Sequence, residues 1–123
     1  PTRDFTFIDD TVNGFISTLN TNKIIGEVVN LGTNYEISIL DLAFLISELM
    51  NQNINIISDD ERIRPEKSEV DRLLSDNIKA KNILDWVPNK SGLSGLKEGL
   101  RETINWFKDI DNLKKYKIDK YNV

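Results

Sequence analysis

"RPEKSEVDRLLSDNIKAKNILDWVPNKSGLSGLKEGLRETINWF", residues 64–107, carries two helix signals in succession behind a charged Arg-Pro entry. Within it, Asp76 can cap a short helix over 77–84, which Pro88 and its neighbours terminate. Leu93, Leu96, Leu100, Ile104 and Phe107 then recur at steps of three and four, the apolar stripe of a last helix. The entry to the stretch is different in kind. In "RIRPEKSEV" (62–70), Pro65 fixes its own φ and biases Arg64 toward an extended conformation, which aims the arginine at one spot. A surface turn is the plain explanation of a lone Arg-Pro, and Arg62 is read as solvated.

Working toward the N-terminus, "NINIIS" (53–58) is a strand candidate. Ser38-Ile39-Leu40-Asp41 resembles a capping box with Asp in the Glu position. It opens a helix expected to bury Ile39, Leu42, Ala43, Leu45, Ile46 and Leu49. "EVVNLG" (27–32) is a short apolar run ending in Gly, the pattern of a buried strand. Asp9 or Asp10 is expected to cap a helix with the stripe Val12, Phe15, Ile16 and Leu19, and Arg3 to Ile8 alternates like a half-buried strand. Trp86, Trp106 and Phe107 are expected in the core. The tail 109–123, rich in Lys, Asp and Asn, is expected to be loosely ordered. Strands alternating with about four helices predict an α/β fold.

Composition excludes several function classes. The 123 residues suit one domain with a modest core. The net charge of −4 gives no basic field for nucleic acid or anionic lipid. With neither His nor Cys, a transition-metal site would rest on carboxylates alone, and no disulfide framework exists. No apolar run reaches the roughly 18 residues that span a bilayer, and a cytoplasmic location is expected. Met50 is the only methionine and residue 1 is Pro, so the chain reads as one cut mid-domain.

Two apparent catalytic motifs are set aside. Tyr116 and Lys120 have Y-x-x-x-K spacing but lie in the polar tail, where nothing buries them to shift a phenol's pKa. Gly92, Gly95 and Gly99 follow no strand, and they are read as allowing close helix packing.

Three segments in order, "TRDFTFIDDTVNGF" (2–15), "GEVVNLGTNYEISILDLA" (26–43) and the opening stretch, carry a resemblance. They resemble the C-terminal part of the extended short-chain dehydrogenase/reductases, the group of nucleotide-sugar epimerases and 4,6-dehydratases. The third segment is most similar to dehydratases acting on UDP-N-acetylglucosamine, with GDP-mannose 4,6-dehydratases more distant. In a departure from the family, Asp85 stands before Trp86 where relatives usually carry Gly. The resemblance covers residues 1–108. It implies a Rossmann-type enzyme using NAD or NADP, of which this chain is the C-terminal, substrate-binding portion. The family's Gly-rich loop and catalytic Tyr-x-x-x-Lys belong upstream of Arg3-Asp4-Phe5, so no catalytic or cofactor-binding residue is expected here.

The resemblance makes Arg64 the diphosphate clamp, Arg3 a second phosphate contact and Glu69 an acceptor for the ribose hydroxyls. A guanidinium fork matches a diphosphate bidentately, and an ionised carboxylate is acceptor-only. A surface salt bridge is the other reading of Arg64. Asn30-Leu31-Gly32 is equally a strand end with a Gly turn or the start of the family's cleft. The expected partners are a nucleotide sugar and the N-terminal Rossmann half. Val28, Val29, Leu31, Leu42 and Ile46 are the candidates to lie uncovered without that half, so that the chain alone self-associates or rearranges. The competing function class is a free-standing nucleotide-sugar or protein-binding module without chemistry.

Overall fold

A computed structural model describes residues 1–57 and 70–115. The order is β1 (Thr2–Arg3), α1 (Ile8–Thr18), a 3-10 turn (Asn22–Ile24), β2 (Ile37–Ser38), α2 (Ile39–Met50), β3 (Arg72–Leu73), α3 (Ile78–Leu84), α4 (Gly92–Lys108) and α5 (Ile110–Leu113). The sheet has the order β2-β1-β3. β1 runs antiparallel to β2, with Thr2 opposite Ser38, and parallel to β3, with Thr2 beside Arg72. This α/β arrangement of five helices and three short strands agrees with the expected fold class.

The helices with local end signals form where the sequence places them. Ser38 caps α2 by accepting from the Asp41 amide at 3.0 Å and donating to the Asp41 carboxylate at 2.6 Å. α2 buries Leu45 and packs on α4. In α4, Gly95 is needed for close approach, because a Cβ there would strike the Lys90 backbone. That glycine therefore packs a helix on a loop rather than on another helix. Asp76 accepts from the Ile78 amide at 2.9 Å at the start of α3. The helix ends at Asp85 rather than at Pro88. Asp85 takes φ 52°, the left-handed conformation that favours Gly at a helix end.

Ala80, Leu84 and Trp86 form the core, with Ile24, Val29, Leu31 and Ile83 packed around them. Trp86 donates its indole N–H to the Asp10 carbonyl at 3.1 Å. Trp106 and Phe107, expected in the core, instead stack edge to face at 5.0 Å on the surface.

Several other expectations are corrected. The predicted strand over 3–8 shrinks to Thr2–Arg3, since only these residues find ladder partners. Residues 27–32 and 53–57 form no strand, because no neighbouring strand among the described residues pairs with them; residue 58 lies outside those residues. Phe7 occupies the N-cap position of α1 without a side-chain cap hydrogen bond, and Asp9 and Asp10 lie within the helix instead of capping it. Its buried face consists of Asp10 and Gly14, the latter against Leu31. The predicted apolar stripe faces outward: Phe15 is 65% and Leu19 83% exposed, with Ile8, Val12 and Ile16 beside them. Of the residues expected to lie uncovered, only Val28 is strongly exposed, while Val29, Leu31, Leu42 and Ile46 are half-buried. Among the described residues, exposed apolar side chains gather on α1, and others lie on α2 at Ile39, Leu40, Phe44 and Met50. In the predicted tail, 109–115 includes the short helix α5. No helix among the described residues is long and apolar enough to cross a membrane.

Candidate functional site

Of the sequence-predicted site residues, Arg3 is described, whereas Arg64 and Glu69 lie outside the described residues, as do Arg62 and the Tyr116/Lys120 pair. Arg3 stands at the end of β1, half-buried. Its Nη1 donates to the carbonyl of Thr2 at 2.7 Å and to that of Val70 at 2.8 Å. Two main-chain acceptors, one in β1 and one two residues before β3, thus orient the guanidinium. Val70 directly follows Glu69 in the chain, so the segment carrying Arg64 and Glu69 rejoins the described structure at the carbonyl that orients Arg3.

Asp4, the next residue, was not singled out by sequence. Its carboxylate accepts from the Thr33 hydroxyl at 2.6 Å, the Thr33 amide at 3.0 Å, the Asn34 amide at 3.0 Å and the Ser75 amide at 3.3 Å. An ionised carboxylate can accept several such bonds at once, which ties two distant segments, 33–34 and 75, to the residue beside Arg3. Gly32 belongs to the same junction. A Cβ there would strike Ser75, and its carbonyl accepts from Asn77 Nδ2 at 2.8 Å. The Asn30-Leu31-Gly32 stretch is thus explained by close packing. Only the neighbouring Arg-Asp-Phe run hinted at Asp4.

On the sheet, Glu36 accepts from the Thr2 hydroxyl at 2.6 Å and from Arg72 Nε at 2.7 Å, with Arg72 Nη2 at 2.5 Å. The Arg72 fork, followed by the Thr2 hydroxyl, holds the Glu36 carboxyl down to about 2. Lys90 lies over the Phe7 ring at 4.6 Å and pairs with Glu102 at 3.1 Å and Glu98 at 3.4 Å; the Glu102 contact leads in raising its pKa. Lys90 also borders a cavity of about 270 Å³ lined by Phe5, Phe7, Leu42, Leu96 and Leu100.

No strand leads into α4, whose Gly95 and Gly99 are taken up by contact with Lys90 and Phe7. No group of three or more candidate metal ligands occurs among the described residues.

The family model described as GDP-mannose 4,6 dehydratase matches residues 1–103. The chain belongs to this family. Within it, a UDP-N-acetyl-alpha-D-glucosaminuronate decarboxylase of Bacillus cytotoxicus is 33% identical over 90% of this chain and 34% of its own length. An epimerase of Methanothermobacter thermautotrophicus superposes with a TM-score of 0.77 at 33% identity, over 93% of this chain and 31% of that one. A UDP-glucuronic acid 4-epimerase of Bacillus cereus has a TM-score of 0.69 at 33% identity, over 87% of this chain and 32% of that one. That structure is a complex with UDP-4-deoxy-4-fluoro-glucuronic acid and NAD. The chain spans about a third of the length of these relatives. The family thus contains nucleotide-sugar epimerases, decarboxylases and dehydratases.

Proposed function

We propose that this chain is the nucleotide-sugar-binding portion of an NAD(P)-dependent epimerase, decarboxylase or dehydratase. Arg64 and Arg3 hold the substrate diphosphate, and Glu69 accepts from the ribose. The observation that carries this reading is Arg3, a half-buried guanidinium oriented by two main-chain carbonyls on the chain's one sheet among the described residues. A rigid fork offers an oxyanion bidentate bonds at little further entropic cost. The cofactor supplies the hydride chemistry when bound, and no step of it falls to a residue of this chain. Alone, the chain is inactive and binds no NAD. The narrower sequence reading, a 4,6-dehydratase acting on UDP-N-acetylglucosamine, is one member of this reaction class.

The outward stripe of α1 supports a portion over a free-standing module. Ile8, Val12, Phe15, Ile16 and Leu19 together make an apolar face of the kind that seeks a partner. The rest of the full-length enzyme is the partner that fits.

Calorimetric titration of the full-length protein with UDP tests the assignment. Arg3→Ala is expected to weaken UDP binding about tenfold, the scale of one charge-assisted bond set, and to leave NAD affinity unchanged. Unchanged UDP affinity would remove Arg3 from the site.

A further inference from the structure

We infer that Glu36, acting through Arg72 and Thr2, is a positioning residue for the Arg3 phosphate contact. This inference rests on the reading of Arg3 given above. Among the described residues the sheet consists of three strands of two residues each, too few ladder bonds to fix register securely on their own. Thr2 lies beside Arg72 and opposite Ser38, and Glu36 stands two residues before Ser38. Alternation therefore puts Thr2, Arg72 and Glu36 on one face of the sheet. There one carboxylate takes bonds from both other strands, from Thr2 Oγ1 at 2.6 Å and from Arg72 Nε at 2.7 Å.

Arg3 is on the opposite face by the same alternation. Its Nη1 bonds run to Thr2 in β1 and to Val70, two residues before β3. The aim of the guanidinium is thus set by the offset between β1 and β3. Glu36 clamps that offset from behind, by holding Thr2 of one strand and Arg72 of the other. The Arg72 side chain is 64% exposed and that of Glu36 25%, and exposed pairs of this kind add little to stability. The clamp is therefore expected to act on binding geometry and hardly on folding. A planar fork holds two directions at once, which a lysine cannot reproduce.

The test uses the full-length protein, UDP titration calorimetry, steady-state kinetics on its nucleotide sugar and thermal melting. Glu36→Gln is expected to weaken UDP binding about fivefold and to raise KM with it, leaving kcat within about twofold and the melting temperature nearly unchanged. Arg72→Lys is expected to do the same, and it carries the test should Glu36→Gln fail to fold. In an Arg3→Ala background neither substitution should weaken UDP further, since the residue they position is gone. If both leave UDP affinity unchanged while Arg3→Ala weakens it, the clamp is refuted and the Arg3 assignment stands. An equal loss in the Arg3→Ala background would show that the pair acts by another route, which also overturns the inference. If Arg3→Ala itself has no effect, the functional reading falls first and the inference with it.

Discussion

Asp10→Ala is expected to destabilise the fold by about 3 kcal/mol, since hydrogen bonds to a charged acceptor contribute roughly 1.5–3 kcal/mol each. Asp10 is 2% exposed and accepts from the backbone amides of Asn89 at 2.8 Å and Lys90 at 3.0 Å. Alanine would leave both amides without their acceptor in a part-buried place. The loop they belong to joins Trp86 in the core to Gly95 of α4, whose close approach to Lys90 leaves no room for a side chain. Loss of the carboxylate therefore loosens the junction of α1, the core and α4 together. Asp10→Asn keeps one acceptor oxygen and should cost about half as much. Denaturant unfolding of the full-length protein, followed by Trp fluorescence, measures both. A cost for Asp10→Ala below about 0.5 kcal/mol, the range of ordinary surface substitutions, would contradict the role.

The second large effect is expected at Arg64. Arg64→Ala in the full-length protein should weaken UDP binding by about 1.5–3 kcal/mol, roughly ten- to hundredfold, the scale of charge-assisted hydrogen bonds to a diphosphate. NAD affinity should stay the same. Arg64→Lys should recover only part of the loss, because an ammonium cannot match two oxygens with a planar fork. Pro65 strengthens the case by restricting the backbone at Arg64, which lowers the entropy lost when the side chain is held. Titration calorimetry with UDP checks it, and equal affinities for wild type and Arg64→Ala would make the arginine purely structural.

What the sequence revealed depended on how local the signal was. Ser38 with Asp41, and the leucine steps of α4, are complete within a few residues, so those helices could be read directly. The α1 stripe was legible as a stripe, but its direction was not. Asp10 and Gly14 occupy the inner face because a buried acceptor and a close approach were needed there, and neither need shows in hydrophobic periodicity. β1 was read too long and β2 and β3 were not found, since two residues carry no period, and the apolar run at 27–32 finds no strand beside it among the described residues. In the proposed site, Arg3 came from the family resemblance and not from any local pattern of its own. Glu36 and Arg72 were not legible, because they meet across 36 positions of chain and neither belongs to a local pattern. Asp4 was hidden for the same reason, its partners being Thr33, Asn34 and Ser75.

Residues 1–123 are proposed to hold the substrate side of a nucleotide-sugar enzyme whose cofactor is held elsewhere. A crystal structure of the full-length protein with NAD and UDP tests this most directly. The account predicts the UDP diphosphate within hydrogen-bonding distance of Arg3 and Arg64, the remainder of the enzyme packed on the α1 face of Phe15 and Leu19, and NAD bound outside residues 1–123. A diphosphate bound away from both arginines, or NAD seated on residues 1–123, would contradict it.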